Sequence, residues 1–318
     1  EGKILSVQLV PSRRKAYKPP TRLKNRFAQE RRLGMGLLAP CLILLAVFAV
    51  YPVGRTIVMA FGETQGFDLA EGGFQFTLEN FRQAVSSNYF WDSVRNTMYF
   101  VFFSVLLQTL VGILLALLAN KAFKGQGLAR AALLLPWAMP PAVAAMAWRW
   151  MSHDTYGVFN DLLRRAAITD GTTYWLGEPT LAMWMLIILA VWKVSSFMGL
   201  LILAGLQSIP DELYEAASID GAGGFRAFMR VTLPLLRPTI LVAMLLRALQ
   251  AIQVFDLPYA LTDGGPGNAT EMMGMFIYRT SFIGQKAGVA SAQSLIMLFI
   301  SMILAMVYFI LNAKEAES

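Results

Sequence analysis

Six stretches of this chain are long and apolar enough to cross a bilayer, and no other feature restricts the fold as severely. They lie near 35–60, 94–119, 128–152, 181–206, 233–261 and 288–311. A spanning helix needs roughly 20 mostly apolar residues to cover about 30 Å of hydrocarbon. The chain therefore reads as an all-α polytopic membrane protein with six transmembrane helices. Composition agrees, since 56% of the 318 residues are apolar and only 15% are charged. A mean hydropathy of +0.53 exceeds what a soluble domain of this size requires. One cysteine excludes an internal disulfide framework, and one histidine leaves no His-rich metal site and little scope for His-based proton transfer.

Charge sets the expected orientation. Ten of the 27 Lys and Arg residues precede Leu33, where only two acids oppose them. That asymmetry marks a cytoplasmic flank and argues against a nucleic-acid partner. Lys121, Lys124 and Arg130 follow the second stretch, and Arg226, Arg230 and Arg237 follow the fourth. The alternate loops hold Glu63, Asp68, Glu71 and Glu79, then Asp154, Asp161, Asp170 and Glu178, then Asp263 and Glu271. Both termini are thus expected in the cytoplasm, with Arg164 and Arg165 running against the bias. Residues 1–32 read as a basic, flexible cytoplasmic tail suited to lipid headgroups, and 33–318 as the six-helix domain.

Pro52, Pro136, Pro140, Pro141, Pro238 and Pro258 fall inside spans, where each removes a donor and crowds the preceding turn, so kinks or interruptions are expected. Between the first two spans, Phe74, Phe76 and Leu78 alternate, which predicts a small extended piece before a short amphipathic helix containing Phe81 and Val85.

The cytoplasmic segment Ser208–Gly224 carries the most information. Ser208 and Asp211 have capping-box spacing, Pro210 suits a first turn and Gly221 supplies a stop. A short helix over about 209–221 follows, with Leu213, Ala216, Ala217 and Asp220 at helical spacing. Its small alanines admit the close approach of another protein, and an interfacial helix resting on headgroups is the alternative.

Glu215-Ala216-Ala217, then Gly221, then Val231-Thr232-Leu233-Pro234 resembles the EAA motif of permease subunits in ATP-binding-cassette importers. Val231 stands where that family more often has Ile. Leu261-Thr262-Asp263-Gly264-Gly265-Pro266, with Thr270 beyond it, resembles a segment of the carbohydrate-uptake branch, the MalF-like permeases. The resemblance implies a type I importer permease fold in a bacterial or archaeal inner membrane. It implies a second homologous permease, two ATPase subunits that bind ATP and Mg, and an extracytoplasmic solute-binding protein. No cofactor is expected in this chain, which lacks a phosphate-binding G-x-x-x-x-G-K-[ST] loop and catalyses no bond chemistry. Glu215, Ala216, Ala217, Asp220 and Gly221 would form the coupling helix seated in the ATPase, within a cycle of alternating access.

Polar groups at membrane depth mark the candidate path, because they are costly unless they face a cavity or a partner. Gapless alignment with the MalF-like family places Arg247, Gln250, Ala251 and Val254 at positions lining its sugar site. Counting back from Glu215 adds Lys193, Val194 and Phe197, and Asp256 follows near the outer end. Trp192, Phe197 and Phe255 offer flat faces for a sugar ring. A purely structural account pairs Arg247 with Asp256 or a partner subunit and uses Lys193 to cap carbonyls in a bent helix. Sugar or oligosaccharide, neutral or acidic, is the expected cargo. The rival, an ion-coupled secondary transporter, commonly shows half-repeats and intramembrane acids; here no repeat is found and Asp256 is the one candidate acid.

Overall fold

The computed structural model describes residues 21–71, 73–121, 124–169 and 171–316. Expectations placed on residues 1–20 lie outside that range. The chain forms two compact units that divide at Arg55. The first contains α1 (Thr21–Leu45), so the helix begins inside the segment read as a tail. A π-helical turn, Ala46–Val50, leads into α2 (Tyr51–Phe61). The helix continues through Pro52, where a kink is expected, and the widened turn just before it relieves the crowding between the proline ring and the preceding turn.

In the second unit the paired strands lie before the Phe74–Leu78 alternation: β1 (Thr64–Gln65) and β2 (Asp68–Leu69) form a small antiparallel hairpin with Thr64 opposite Leu69 and Gln65 opposite Asp68, while of the alternating residues Phe76 makes an isolated antiparallel bridge to Gly62. The short helix is α3 (Glu79–Ser86). Its buried Asn80 donates to the carbonyls of Met59, Ala60 and Gly62 at 3.1, 3.2 and 2.9 Å, capping the end of α2 that no helical donor can reach.

The remaining spans begin with α4 (Asn88–Asn120) and a third span in pieces: α5 (Gln126–Leu133), α6 (Leu135–Ala138) and α7 (Pro141–Met151). The two halves of that span meet at 86°. The cause is local, because Met139 and Pro140 each precede a proline and adopt extended backbone, which ends α6 and starts α7 at Pro141. An outer helix, α8 (Val158–Arg165), precedes α9 (Pro179–Leu206), whose N-terminal amides at Thr180 and Leu181 donate to the Glu178 carboxylate at 3.2 and 2.8 Å. Those bonds hold the Glu178 carboxyl below its ordinary pKa.

Helix α9 is the hub: 67% of its most apolar stretch is buried, against 39% for α4 and 11% for the last span. It makes its broadest contact with α4 through small residues. A Cβ added at Gly112 would lie 2.9 Å from the Met198 side chain, and one at Gly199 would lie 3.2 Å from the Gly112 carbonyl. Without side chains at these positions the two backbones approach closely, as membrane helices do where van der Waals packing must hold them together. Phe100, Leu186, Ile187, Leu189 and Ile252 fill one core cluster, and Met198, Ile202, Leu206, Leu236 and Ile240 fill a second nearer the far end of α9.

Beyond α9 come α10 (Asp211–Ile219), α11 (Gly224–Ala227), a π turn at Phe228–Thr232 and α12 (Leu233–Ile252). The predicted fifth span is interrupted at Gln253–Phe255 and resumes as α13 (Asp256–Thr262). Pro258 sits in the first turn of α13, where its missing donor is tolerated but its ring opposes a continuous helix through Val254. Pro238, by contrast, stays within α12. The chain closes with α14 (Met273–Tyr278), a π turn at Arg279–Ile283 and α15 (Ala287–Ala316). Among the described residues five helices are long and apolar enough to cross a membrane, and the bent pair, taken as one span, makes six.

Candidate functional site

Both interrupted spans break at the same place in the molecule. The bend at Met139–Pro140 and the gap at Gln253–Phe255 face a single cleft of about 530 Å³, and the segments beyond the breaks, α7 and α13, pack on each other. Non-helical backbone at membrane depth survives only where it meets protein or a water-filled cavity, and here both breaks border the cleft. The volume lies in the range of small-molecule sites. A larger groove of about 890 Å³ between α4, α5 and α9 is almost wholly apolar, and a polyhydroxylated cargo would find few partners in it.

The cleft brings together Lys193 and Val194 from α9, Arg247, Gln250 and Ala251 from α12, Val254 from the break and Asp256 at the start of α13. Gln253 and Phe255 join them. Phe197 does not reach the lining: it lies behind it, stacked on Trp137 at 5.0 Å with the rings 10° from parallel. Trp137, which no sequence pattern marks, lines the cleft with its aromatic side chain instead. Trp192 borders the apolar groove and leans on Trp148 at 5.8 Å, so it offers no face to the cleft.

The two intramembrane cations have different surroundings. Lys193, 6% exposed, donates to the carbonyls of Pro136, Trp137 and Met139 at 3.4, 3.0 and 2.6 Å. Its three donors thus serve acceptors that the bent span leaves free, as the structural account expected. Arg247 is not paired with Asp256; its Nε donates to Gln108 Oε1 at 2.9 Å and its Nη1 to Gln250 Oε1 at 2.7 Å. Gln108, fully buried in α4, went unselected, although an amide inside an apolar run was a legible signal.

At the opposite end of α9 from Glu178, α10 stands free, with no buried residue. Glu215, Ala216 and Asp220 are exposed and Ala217 is half-buried. The expected capping box does not form. Helix α10 starts at Asp211 with Pro210 before it, and the Ser208 hydroxyl instead donates to Gly205 O at 2.7 Å, closing the end of α9. At the other end Gly221 takes φ +72°, Gly221 N–H reaches Ser218 O at 3.0 Å and Ala222 N–H reaches Ala217 O at 2.9 Å. This is a Schellman termination, and its left-handed residue is the stop the sequence predicted. The Tyr214 and Thr232 hydroxyls lie 3.1 Å apart, tying α10 to the π turn that opens α12.

The second signature segment forms a tight loop outside the spans. Arg279 donates to Glu271 Oε1 at 2.9 Å and to Asp263 O and Oδ1 at 2.7 and 2.9 Å. The hydroxyls of Thr262 and Thr270 lie 2.6 Å apart, and Thr270 donates to Gly265 O at 2.8 Å. Burial raises the pKa of Glu271, against the lowering effect of the Arg279 guanidinium.

Residues 108–315 match the family described as "Binding-protein-dependent transport system inner membrane component". The sulfoquinovosyl glycerol transport system permease protein of Agrobacterium fabrum is 40% identical over 90% of this chain and 92% of its own length. The trehalose/maltose transport system permease protein of Thermococcus litoralis is 39% identical over 88% of this chain and 93% of its own. In fold, the chain resembles a bacterial ABC transporter structure, one involved in import of the acidic polysaccharide alginate, with a TM-score of 0.79 at 24% identity over 92% of this chain and 99% of that one. The chain belongs to the family of membrane-spanning permease subunits of binding-protein-dependent, ATP-driven importers, and within such a system it is a non-catalytic component.

Proposed function

We propose that this chain carries a sugar or glycoside inward through the cleft between α9, α12 and the broken third span, driven by ATPase subunits that grip α10. Relatives at 39–40% identity that move sulfoquinovosyl glycerol and trehalose or maltose support the cargo class. Lys193, Val194, Arg247, Gln250, Ala251, Val254 and Asp256 are the candidate path residues, with Phe197 acting through Trp137. Both termini and α10 lie in the cytoplasm, in keeping with the cation-rich loops. Two ATPases hold ATP and Mg there, a second homologous permease completes the path, and a solute-binding protein delivers cargo at the outer loops.

One observation carries the mechanical reading: α10 lies between the two spans that line the cleft, α9 and α12, and is fastened to the second by Tyr214. A nine-residue helix with a fixed stop moves as a rigid piece, so displacement imposed on it reaches both walls of the cleft. ATP-clamped ATPases hold the cleft open outward, and release opens it inward. In vesicles containing the whole system, uptake of labelled trehalose or sulfoquinovosyl glycerol is expected to require ATP, the binding protein and the second permease. Uptake by this polypeptide alone on an ion gradient would refute the reading.

A further inference from the structure

We infer that Arg247 is an anion subsite, so that the cargo is a carbohydrate or polyol bearing a carboxylate, sulfonate or phosphate group. The inference rests on the proposed cleft as the transport path and goes beyond it in naming the charged class. It begins with the difference between the two cations. Lys193 has all three of its donors directed at backbone carbonyls, and the partial negative charge on those oxygens offsets its own. A ligand would have to displace the bonds that hold the bent span before it could use that ammonium.

Arg247 is differently placed. Gln108 orients Nε from the buried side and Gln250 takes one hydrogen of Nη1. Three of the five guanidinium hydrogens remain, including both on Nη2, for which no acceptor is present among the described residues. Gln108 is itself constrained: it is fully buried, it spends its oxygen on Arg247, and its Nε2 has no partner among the described residues. Two neutral amides therefore hold a guanidinium at the cleft wall, and no carboxylate among the described residues pairs with it. An uncompensated cation is expensive there. An oxyanion of the cargo would relieve that expense while bound, through two parallel charge-assisted bonds that a planar guanidinium is shaped to give. Asp256 and the free amide of Gln250 remain for hydroxyl groups, and the Trp137 face for the ring.

The test uses the complete transport system in proteoliposomes, with ATP inside the assay and four labelled probes: digalacturonate, sn-glycerol 3-phosphate, sulfoquinovosyl glycerol and trehalose. At least one anion is expected to be taken up, and which one identifies the acid group. In Arg247→Gln its uptake is expected to fall about tenfold or more, the size of one lost charge-assisted contact. Arg247→Lys, which keeps the charge without the planar fork, is expected to fall between the two. Lys193→Met is expected to slow every transported probe by a similar factor. Co-elution of each variant with its ATPases establishes that the complex has assembled. Uptake of trehalose alone, uptake of none of the anions, or wild-type anion uptake by assembled Arg247→Gln overturns the inference. Trehalose uptake without anion uptake, or wild-type anion uptake by the variant, leaves ATP-driven transport standing, whereas uptake that ignores ATP refutes the transport reading and not the subsite.

Discussion

Replacing Lys193 with methionine keeps most of the side-chain volume and removes the donor that closes the bent third span. Two of its three bonds, to Met139 O at 2.6 Å and Trp137 O at 3.0 Å, have good lengths, while the one to Pro136 O at 3.4 Å is long. Bonds from charged donors contribute about 1.5–3 kcal/mol each, so the two good ones together give roughly 3–6 kcal/mol. Removing a desolvated ammonium returns part of that, since burial of an ion carries a penalty of several kcal/mol before pairing. The bordering cleft admits water to some of the freed carbonyls, which offsets more. A net loss of about 1–3 kcal/mol remains. For a chain of this length such a loss lowers Tm by roughly 2–5 °C. The assay is thermal unfolding of the purified complex in detergent, followed by tryptophan fluorescence because Trp137 sits on the affected segment. A Lys193→Met complex that melts within about 1 °C of wild type, yet loses cargo binding, would refute this reasoning and assign Lys193 to the cargo.

Three further outcomes follow from the geometry. Glu215→Ala, at an exposed position, should leave Tm within the small range of surface substitutions while lowering cargo-stimulated ATP hydrolysis about fivefold, near 1 kcal/mol of lost docking; unchanged stimulation and ATPase association would remove α10 from the coupling role. Gly112→Ile must displace Met198 and should destabilise the complex by about 1–3 kcal/mol, seen as a lower detergent Tm; a neutral result would show that the α4–α9 contact is loose. Glu271 binds its proton more tightly when folded than when unfolded, so its contribution to stability is fully present below about pH 4.3 and declines as pH rises through the raised folded value. The difference in Tm between wild type and Glu271→Gln should therefore shift against wild type across that window, and a constant difference would show that burial does not control this carboxyl.

Length and hydropathy were enough to place all six spans, because a bilayer demands long apolar runs. Proline positions located the bent third span, since Pro140 and Pro141 fix extended backbone by local sterics alone. The break before α13 was less legible: it falls at Gln253–Phe255, ahead of Pro258, and Pro238 bends nothing comparable. The Ser208–Asp211 spacing misled for a different reason. A serine hydroxyl between two helix ends can accept an N–H at the start of one or donate to a carbonyl at the end of the other, and Ser208 donates to Gly205 O at the end of α9. Within the cleft, charged and polar residues announced themselves by their cost in an apolar run. Trp137 did not, because an aromatic in a membrane helix looks the same whether it faces lipid or a path. Only the fold distinguishes the two carbonyl-bound and amide-bound cations, whose sequence surroundings say nothing of which acceptors come near.

The close seam of Gly112 and Gly199 also limits where motion can occur. At this seam the backbones meet with only Met198 and Leu115 set against the two glycines, which leaves α4 and α9 little room to slide, and they are expected to travel as one strut. Gating then has to be carried by the hinged pieces around that strut: the elbow between α6 and α7 and the joint between α12 and α13. Paired spin labels on α4 and α9 should keep one separation throughout the cycle, while labels straddling either joint report two.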